Sequence, residues 1–176
     1  MELNIRQATL DDCDAIMALM ALSMARILPE FLDEEQVKRS DASMGIDREL
    51  IADGTYYLVY IDDVLVGCGG WSARRTLYGG DHSENRDSTF ADPAIEAAKI
   101  RAMYTHPDYT RRGIGQALME KSEQEAKTAG FNRVELGATA PGLPFYLRCG
   151  YEIVEDISKP DEDGVIVPVI LMSKPI

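Results

Sequence analysis

Residues 110–118 read TRRGIGQAL. Gly113 and Gly115 stand two apart behind Arg111 and Arg112, where an apolar helical periodicity begins. Glycine costs about 1 kcal/mol against alanine in a helix interior, so two of them at a helix start need a reason. The free N–H groups of a helix's first turn point outward and the helix dipole favours negative charge. Glycine lets a ligand reach that backbone. The chemistry is anion binding, with a phosphate or pyrophosphate as the natural occupant. Neither common nucleotide loop fits. The string G-x-x-x-x-G-K-[ST] does not occur, and Leu118 stands where the dinucleotide fingerprint needs Gly or Ala. The plain alternative is a tight turn that allows close helix packing.

A second stretch, FYLRCGY at 145–151, follows one strand later. Together TRRGIGQAL and FYLRCGY resemble the GNAT superfamily of N-acetyltransferases. That family carries [Q/R]-x-x-G-x-[G/A] at its pyrophosphate turn and a later F-Y-x-x-x-G-[F/Y]. Here Gly113-Ile114-Gly115 and Phe145-Tyr146…Gly150-Tyr151 fill those positions, and KIRAMYTHPDY is similar to the family's fourth strand. The resemblance implies an α/β (α+β) fold, a GNAT-like, mostly antiparallel mixed sheet of about seven strands flanked by about four helices. It implies acetyl-CoA as cosubstrate, held where the fourth and fifth strands splay apart.

Residue by residue, the resemblance places the pyrophosphate on the amides of Arg111, Arg112, Gly113, Ile114, Gly115 and Gln116. The pantetheine arm would run along Met103, Tyr104 and Thr105 like an added strand. The N–H of Met103 would polarise the thioester carbonyl. Tyr146 would be the general acid for the departing thiolate, a phenol of pKa about 10 facing an acceptor of similar basicity. The implied reaction is direct transfer to a primary amine in a ternary complex. A non-catalytic acyl-CoA-binding or sensing module is the alternative.

Three positions depart from the family pattern. Thr110 opens the phosphate motif in place of Gln or Arg. Thr139 replaces a frequent Asn, with Pro141 and Gly142 close behind. Lys99 stands where many relatives carry a glutamate base, and a protonated lysine cannot accept a proton. Glu96 or a water relay could serve instead, or Lys99 could face an anionic part of the substrate. Lys99, Trp71, Asp81 and His82 are therefore the candidate substrate contacts. His82, of ordinary pKa about 6.5, sits in an aperiodic loop over 74–95 that is expected to cover the acceptor. The bland readings are a solvated Lys99 and His82, a core Trp71 and a structural His106.

These side chains need elements to hold them. Residues 3–8 alternate as a strand. Thr9, Asp11 and Asp12 open a helix whose stripe is Ile16, Leu19, Met20 and Ser23. A second helix is expected over Pro29–Met44. TYYLVYI, Asp62-Asp63 and VLVGCGGW form a hairpin. Residues 97–105 form a strand. A helix then runs from Gly113 to Ala129 with Ile114, Ala117, Leu118, Ser122 and Ala126 inward, and Gly130 caps its end. NRVELGATA, LPFYLRC, YEIVEDI and VIVPVILM give a strand, a short helix and two strands.

The 176 residues suit one domain spanning 1–176. A net charge of −12 argues against nucleic acid, which needs a basic face. No apolar run reaches the ~20 residues of a membrane span. No signal pattern opens the chain, so a cytoplasmic protein is expected. Cys13, Cys68 and Cys149 are too few and too scattered for a disulfide framework or a zinc site, and no metal is expected. The expected partner is a small-molecule or peptide amine, with a homodimer possible.

Overall fold

Two aspartates decide where the sheet first turns. Asp62 and Asp63 both adopt left-handed backbone, φ +46° and +64°. That geometry matches the twist of a two-residue hairpin, and Asp tolerates it better than most residues. The turn joins β2 (Tyr56–Ile61) to β3 (Val64–Ser72). The computed structural model describes residues 2–84 and 86–176; Asn85, within the loop expected over 74–95, lies outside them.

Around this hairpin lies a seven-stranded sheet in the order β1-β2-β3-β4-β5-β7-β6. Its other strands are β1 (Asn4–Gln7), β4 (Ala98–Thr105), β5 (Arg133–Ala138), β6 (Glu152–Asp156) and β7 (Ile170–Pro175). Every neighbouring pair is antiparallel except β4 and β5. Those two run parallel and pair only through Ala98↔Val134 and Lys99↔Glu135. Beyond Lys99 they part.

Alternation on β2 divides the core between the sheet's faces. Tyr57, Val59 and Ile61 pack with Ile114, Leu118 and Ala126 of α4 (Ile114–Thr128). Tyr56 and Leu58 pack with Ile16, Leu19 and Met20 of α1 (Cys13–Ile27) and with Leu50 and Ile51 of α3 (Arg48–Ala52). The buried residues of α1 are Ile16, Leu19, Met20 and Ser23, the expected stripe. On α4, Met119 is buried where Ala117 was expected. The larger side chain takes the contact because both lie at the edge of the inward face.

Three boundaries differ from the sequence reading. Leu28–Glu30 form a 3-10 turn, and α2 begins only at Glu34 and ends at Ser43. Asp33 and Gln36 make a reciprocal capping box there, with N–H to side-chain oxygen distances of 2.9 and 3.1 Å, which fixes the start. The five-residue helix α3 was not anticipated, being too short for periodicity to show. The last strand is β7 at Ile170–Pro175 rather than the VIVPVILM run, because Pro168 has no N–H to give a ladder. Helix α5 (Leu143–Arg148) and a left-handed Gly130, φ +97°, sit where expected.

Ser122 is fully buried on α4, and its hydroxyl has no hydrogen-bond partner among the described residues. Ser122→Ala removes an unsatisfied polar atom and improves helix propensity. We expect it to stabilise the fold by about 1 kcal/mol, read as a higher urea midpoint at unchanged m-value. A lower midpoint would show that the hydroxyl is satisfied.

Candidate active site

The site begins with a defect in β4. Cys68 pairs with Tyr104 and Gly70 with Arg101, so Ala102 and Met103 together oppose Gly69. This is a β-bulge, which bends the strand and re-aims its backbone. Ala102 carries the distortion at φ +51°, a strain of about 1–3 kcal/mol for a non-glycine residue. Two features hold it. The buried Tyr56 hydroxyl donates to the Ala102 carbonyl at 2.8 Å. A Cβ on Gly69 would stand 2.2 Å from Met103 Sδ, so glycine there leaves the Met103 side chain its present place over the bulge. Because pairing with β5 stops at Lys99, the backbone of 100–105 borders an open gap.

Two cavities meet at this gap. One, of about 660 Å³, runs past Met103, Tyr104, Thr105, Arg111, Gly113, Ile114, Gly115 and Gln116. The other, of about 720 Å³, lies between α2, residues 77–79 and the chain between β6 and β7. Leu28, Met44, Met103, Tyr104, Thr139 and Tyr146 line both. The two cavities therefore share these six residues.

The first cavity suits an anion. Gly113 is the N-cap of α4 at φ +81°, a conformation that other residues resist. A Cβ there would meet nothing within 4 Å, so the space in front of the turn is open. Gly115 has a different reason: its Cβ would sit 3.0 Å from the Phe145 ring. The first intrahelical bond runs from Ala117 N–H to Gly113 O at 2.9 Å. The N–H groups of Ile114, Gly115 and Gln116 thus have no acceptor within the helix. No acidic residue occupies this first turn, although the chain carries 30 Asp and Glu. Arg26, Arg111 and Arg148 line the same cavity.

Where the cavities meet, Tyr146 is 9% exposed. Its phenol is surrounded by apolar groups and makes no hydrogen bond among the described residues; burial pushes its pKa well above the ordinary value. It stays protonated across the neutral range and has a proton to give. The second cavity has apolar walls, including Leu32, Leu77, Ile100, Leu136 and Val169, and a mouth carrying Glu84, Asp161, Glu162 and Asp163.

Residues 22–151 match the Acetyltransferase (GNAT) family. The chain belongs to that family. A stretch of 60 residues is 42% identical to an uncharacterized N-acetyltransferase of Methanocaldococcus jannaschii, covering 32% of this chain and 26% of that relative. The match thus spans about a quarter of the curated relative's length. A GCN5-related N-acetyltransferase of Rhodopseudomonas palustris has TM-score 0.71 at 18% identity, over 100% of this chain and 97% of its own. PaiA N-acetyltransferase of Thermoplasma acidophilum, solved in complex with coenzyme A, has TM-score 0.67 at 17% identity, over 100% of both chains. YncA of Salmonella typhimurium, a putative acetyltransferase solved with acetyl-CoA, has TM-score 0.63 at 16% identity, over 98% of this chain and 93% of its own. The structural likenesses carry the GNAT fold.

Of the residues singled out for this GNAT site, Met103, Tyr104, Thr105, Arg111, Gly113, Ile114, Gly115, Gln116 and Tyr146 come together along the cavities. Arg112 does not line either; its guanidinium lies 4.9 Å from the Tyr109 ring centre. The four candidate substrate contacts are placed elsewhere. Lys99 donates to Glu135 at 2.9 Å, at the root of the gap. Trp71 is core, edge-on to Phe131 at 6.1 Å. Asp81 accepts from Arg48, with Oδ2 2.8 Å from Nη1. His82 Nε2 lies 2.6 Å from the Ala42 carbonyl. Glu96 is clamped by Arg75 through two bonds of 2.7 Å, which hold its pKa down to about 2. Lys99, Asp81, His82 and Glu96 are each satisfied by a neighbour from a distant part of the chain, which single-sequence spacing cannot show, whereas Trp71 is packed in the core with its Nε1 unpartnered among the described residues. His106 is structural as expected, its Nδ1 accepting from Asp108 N–H at 3.2 Å. Tyr56 and Met44, which the sequence left unmarked, shape the site through long-range contacts, and Tyr78 of the loop over 74–95 lines the second cavity.

Burial also raises the phenols of Tyr56, Tyr104 and Tyr151, and pushes the Cys68 thiol up to about 12 from 9.0. These groups are neutral in both states below their unfolded pKa values. As pH rises past those values the unfolded chain ionises first, so folding stability is lost. Stability should be flat up to about pH 8.5 and fall progressively as pH climbs past 9 toward 12. Urea midpoints at pH 7, 9 and 10.5 check this, and equal midpoints would contradict the burial. Tyr56→Phe strands the Ala102 carbonyl and should cost about 1–3 kcal/mol in the same assay at pH 7.

Proposed function

We propose that the protein transfers the acetyl group of acetyl-CoA to a primary amine, with both substrates bound at once. The observation that carries this reading is the meeting of two cavities at Met103 and Tyr146, one with an anion-binding end and one with an acidic mouth. Family membership supports the acetyl transfer.

Acetyl-CoA supplies an activated acetyl thioester. The open, acid-free first turn of α4 suits its pyrophosphate, with Ile114, Gly115 and Gln116 N–H groups as donors and Arg111 nearby. The unpaired stretch of β4 from Met103 to Thr105 can accept an extended amide-bearing arm as an added strand. The bulge turns Met103 toward the gap, where its N–H donates to the thioester oxygen as charge develops on it. Tyr146 gives its proton to the sulfur that leaves, and its buried, neutral phenol is kept ready for this.

The acceptor enters the second cavity. The carboxylates of Glu84 and Glu162 on its wall can attract an ammonium group and accept the proton it must lose before attack, whereas Asp161 and Asp163 are engaged by Arg39. Lys99, which could have faced an anionic part of the substrate, is paired with Glu135 and does not line the cavity. A small-molecule or peptide amine is the acceptor class, with Arg39 and Lys159 also on the cavity wall.

Calorimetry with acetyl-CoA is the first test. Wild type should bind. Gly113→Glu should abolish binding while remaining folded, since it puts bulk and negative charge before the open turn. No binding by wild type would overturn the reading. With any acetylated amine, Tyr146→Phe should lower kcat about 100-fold and leave acetyl-CoA affinity unchanged. Tight acetyl-CoA binding without turnover over a broad amine panel would make the protein a binding or sensing module.

A further inference from the structure

The second cavity has a wall that the acetyl-transfer reading does not explain. Arg101 leaves β4 one residue before the bulge and is 3% exposed. Its Nη2 donates to Asp47 at 2.8 Å and to the Gly79 carbonyl at 2.7 Å, and its Nη1 to the Thr76 carbonyl at 3.0 Å. Asp47, itself buried, also accepts from Arg86 at 3.1 Å. Arg86 in turn donates to Gly79 and Gly80 carbonyls at 3.1 and 3.0 Å and to Glu49 at 3.1 Å. Two guanidiniums thus face two carboxylates, and their remaining donors hold the backbone of 76–80. On the far side of the gap, a Cβ on Gly137 of β5 would stand 3.1 Å from the Tyr78 ring. The segment therefore crosses from β4 to β5 where the two strands have parted, with Leu77, Tyr78 and Gly79 facing the cavity.

We propose that residues 76–80 form a fixed strap, locked by Arg101 and Asp47, and that Tyr78 seated over Gly137 sets the upper size of the acceptor. Arg101 and Asp47 are positioning residues; Tyr78 is the specificity-determining one. The proposal rests on the acetyl-transfer reading only in taking this cavity as the acceptor's. Loss of Arg101 would leave buried Asp47 to Arg86 alone and strip the Thr76 carbonyl of its donor, so the lock holds the strap in one arrangement rather than letting it open and close.

Two measurements test it. Amide exchange by NMR reads the lock without any acceptor. Gly80 and Asp81 N–H groups donate to Ser43 and Ile46 carbonyls at 3.4 and 2.9 Å. In wild type they should be protected. In Arg101→Met they should exchange at least tenfold faster while amides of β2 and β3 do not change, and Arg101→Lys should restore part of the protection. Exchange in wild type as fast as in an unstructured peptide would overturn the fixed strap. Specificity reads Tyr78, whose ring is half exposed and whose removal leaves the core intact. With ethylamine and tryptamine as probes, Tyr78→Ala should raise the tryptamine-to-ethylamine ratio of kcat/KM at least tenfold, and Tyr78→Phe should leave it unchanged. Acetyl-CoA affinity should be the same in all three proteins. An unchanged ratio, or no acetylation of either amine by wild type and Tyr78→Ala with acetyl-CoA bound, would overturn the size limit. Failure of wild type to bind acetyl-CoA would instead sink the acetyl-transfer reading, and the exchange result would still decide the lock.

Discussion

The parting of β4 from β5 after Lys99 is the constraint from which the site follows. Two parallel strands that stay paired would spend their N–H and C=O groups on each other. Here only Ala98 and Lys99 find partners on β5. The Lys99–Glu135 ion pair stands at that last rung. Beyond it, a strip of β4 backbone in the middle of the sheet keeps β3 on one side but has no neighbour strand on the side toward β5. Such a strip is costly unless something else meets its hydrogen-bonding groups. Here that strip borders the two cavities.

The bulge at Ala102 and Met103 is tied to the same place. A left-handed alanine is retained because Tyr56 and Gly69 over-determine it, one by a buried hydrogen bond and one by absence of a side chain. Strain held in this way by the surrounding structure commonly marks a functional site. Arg101, the residue before, is the last β4 side chain before the distortion, and it fastens the strap across the gap. The α4 turn follows the same strand, so both cavities and the place where they meet are bordered by β4 or by the turn after it.

Charge is distributed to match. The chain is strongly acidic, yet the first turn of α4 carries no acid and its cavity collects arginines. The acidic side chains line the mouth of the other cavity. The separation is partial, since Glu30 also lines the first cavity and Arg39, Arg101 and Lys159 the second.

The sequence by itself determined the local parts. Gly113 and Gly115, the stripe Ile16, Leu19, Met20 and Ser23, the Asp62-Asp63 turn and Tyr146 were legible because a turn, a periodicity or a motif is written within a few adjacent residues. The tertiary structure decided what adjacency cannot carry. Short α3 and the delayed start of α2 escaped because five residues make no period and a cap outweighs propensity. Lys99, Asp81 and His82 looked available as chemistry, but Glu135, Arg48 and the Ala42 carbonyl satisfy them from distant segments. Trp71 went to the core through ring packing against Phe131. Arg101 left no mark in the sequence and Tyr78 was legible only as part of the loop over 74–95, because their contacts join segments that are neighbours only after folding.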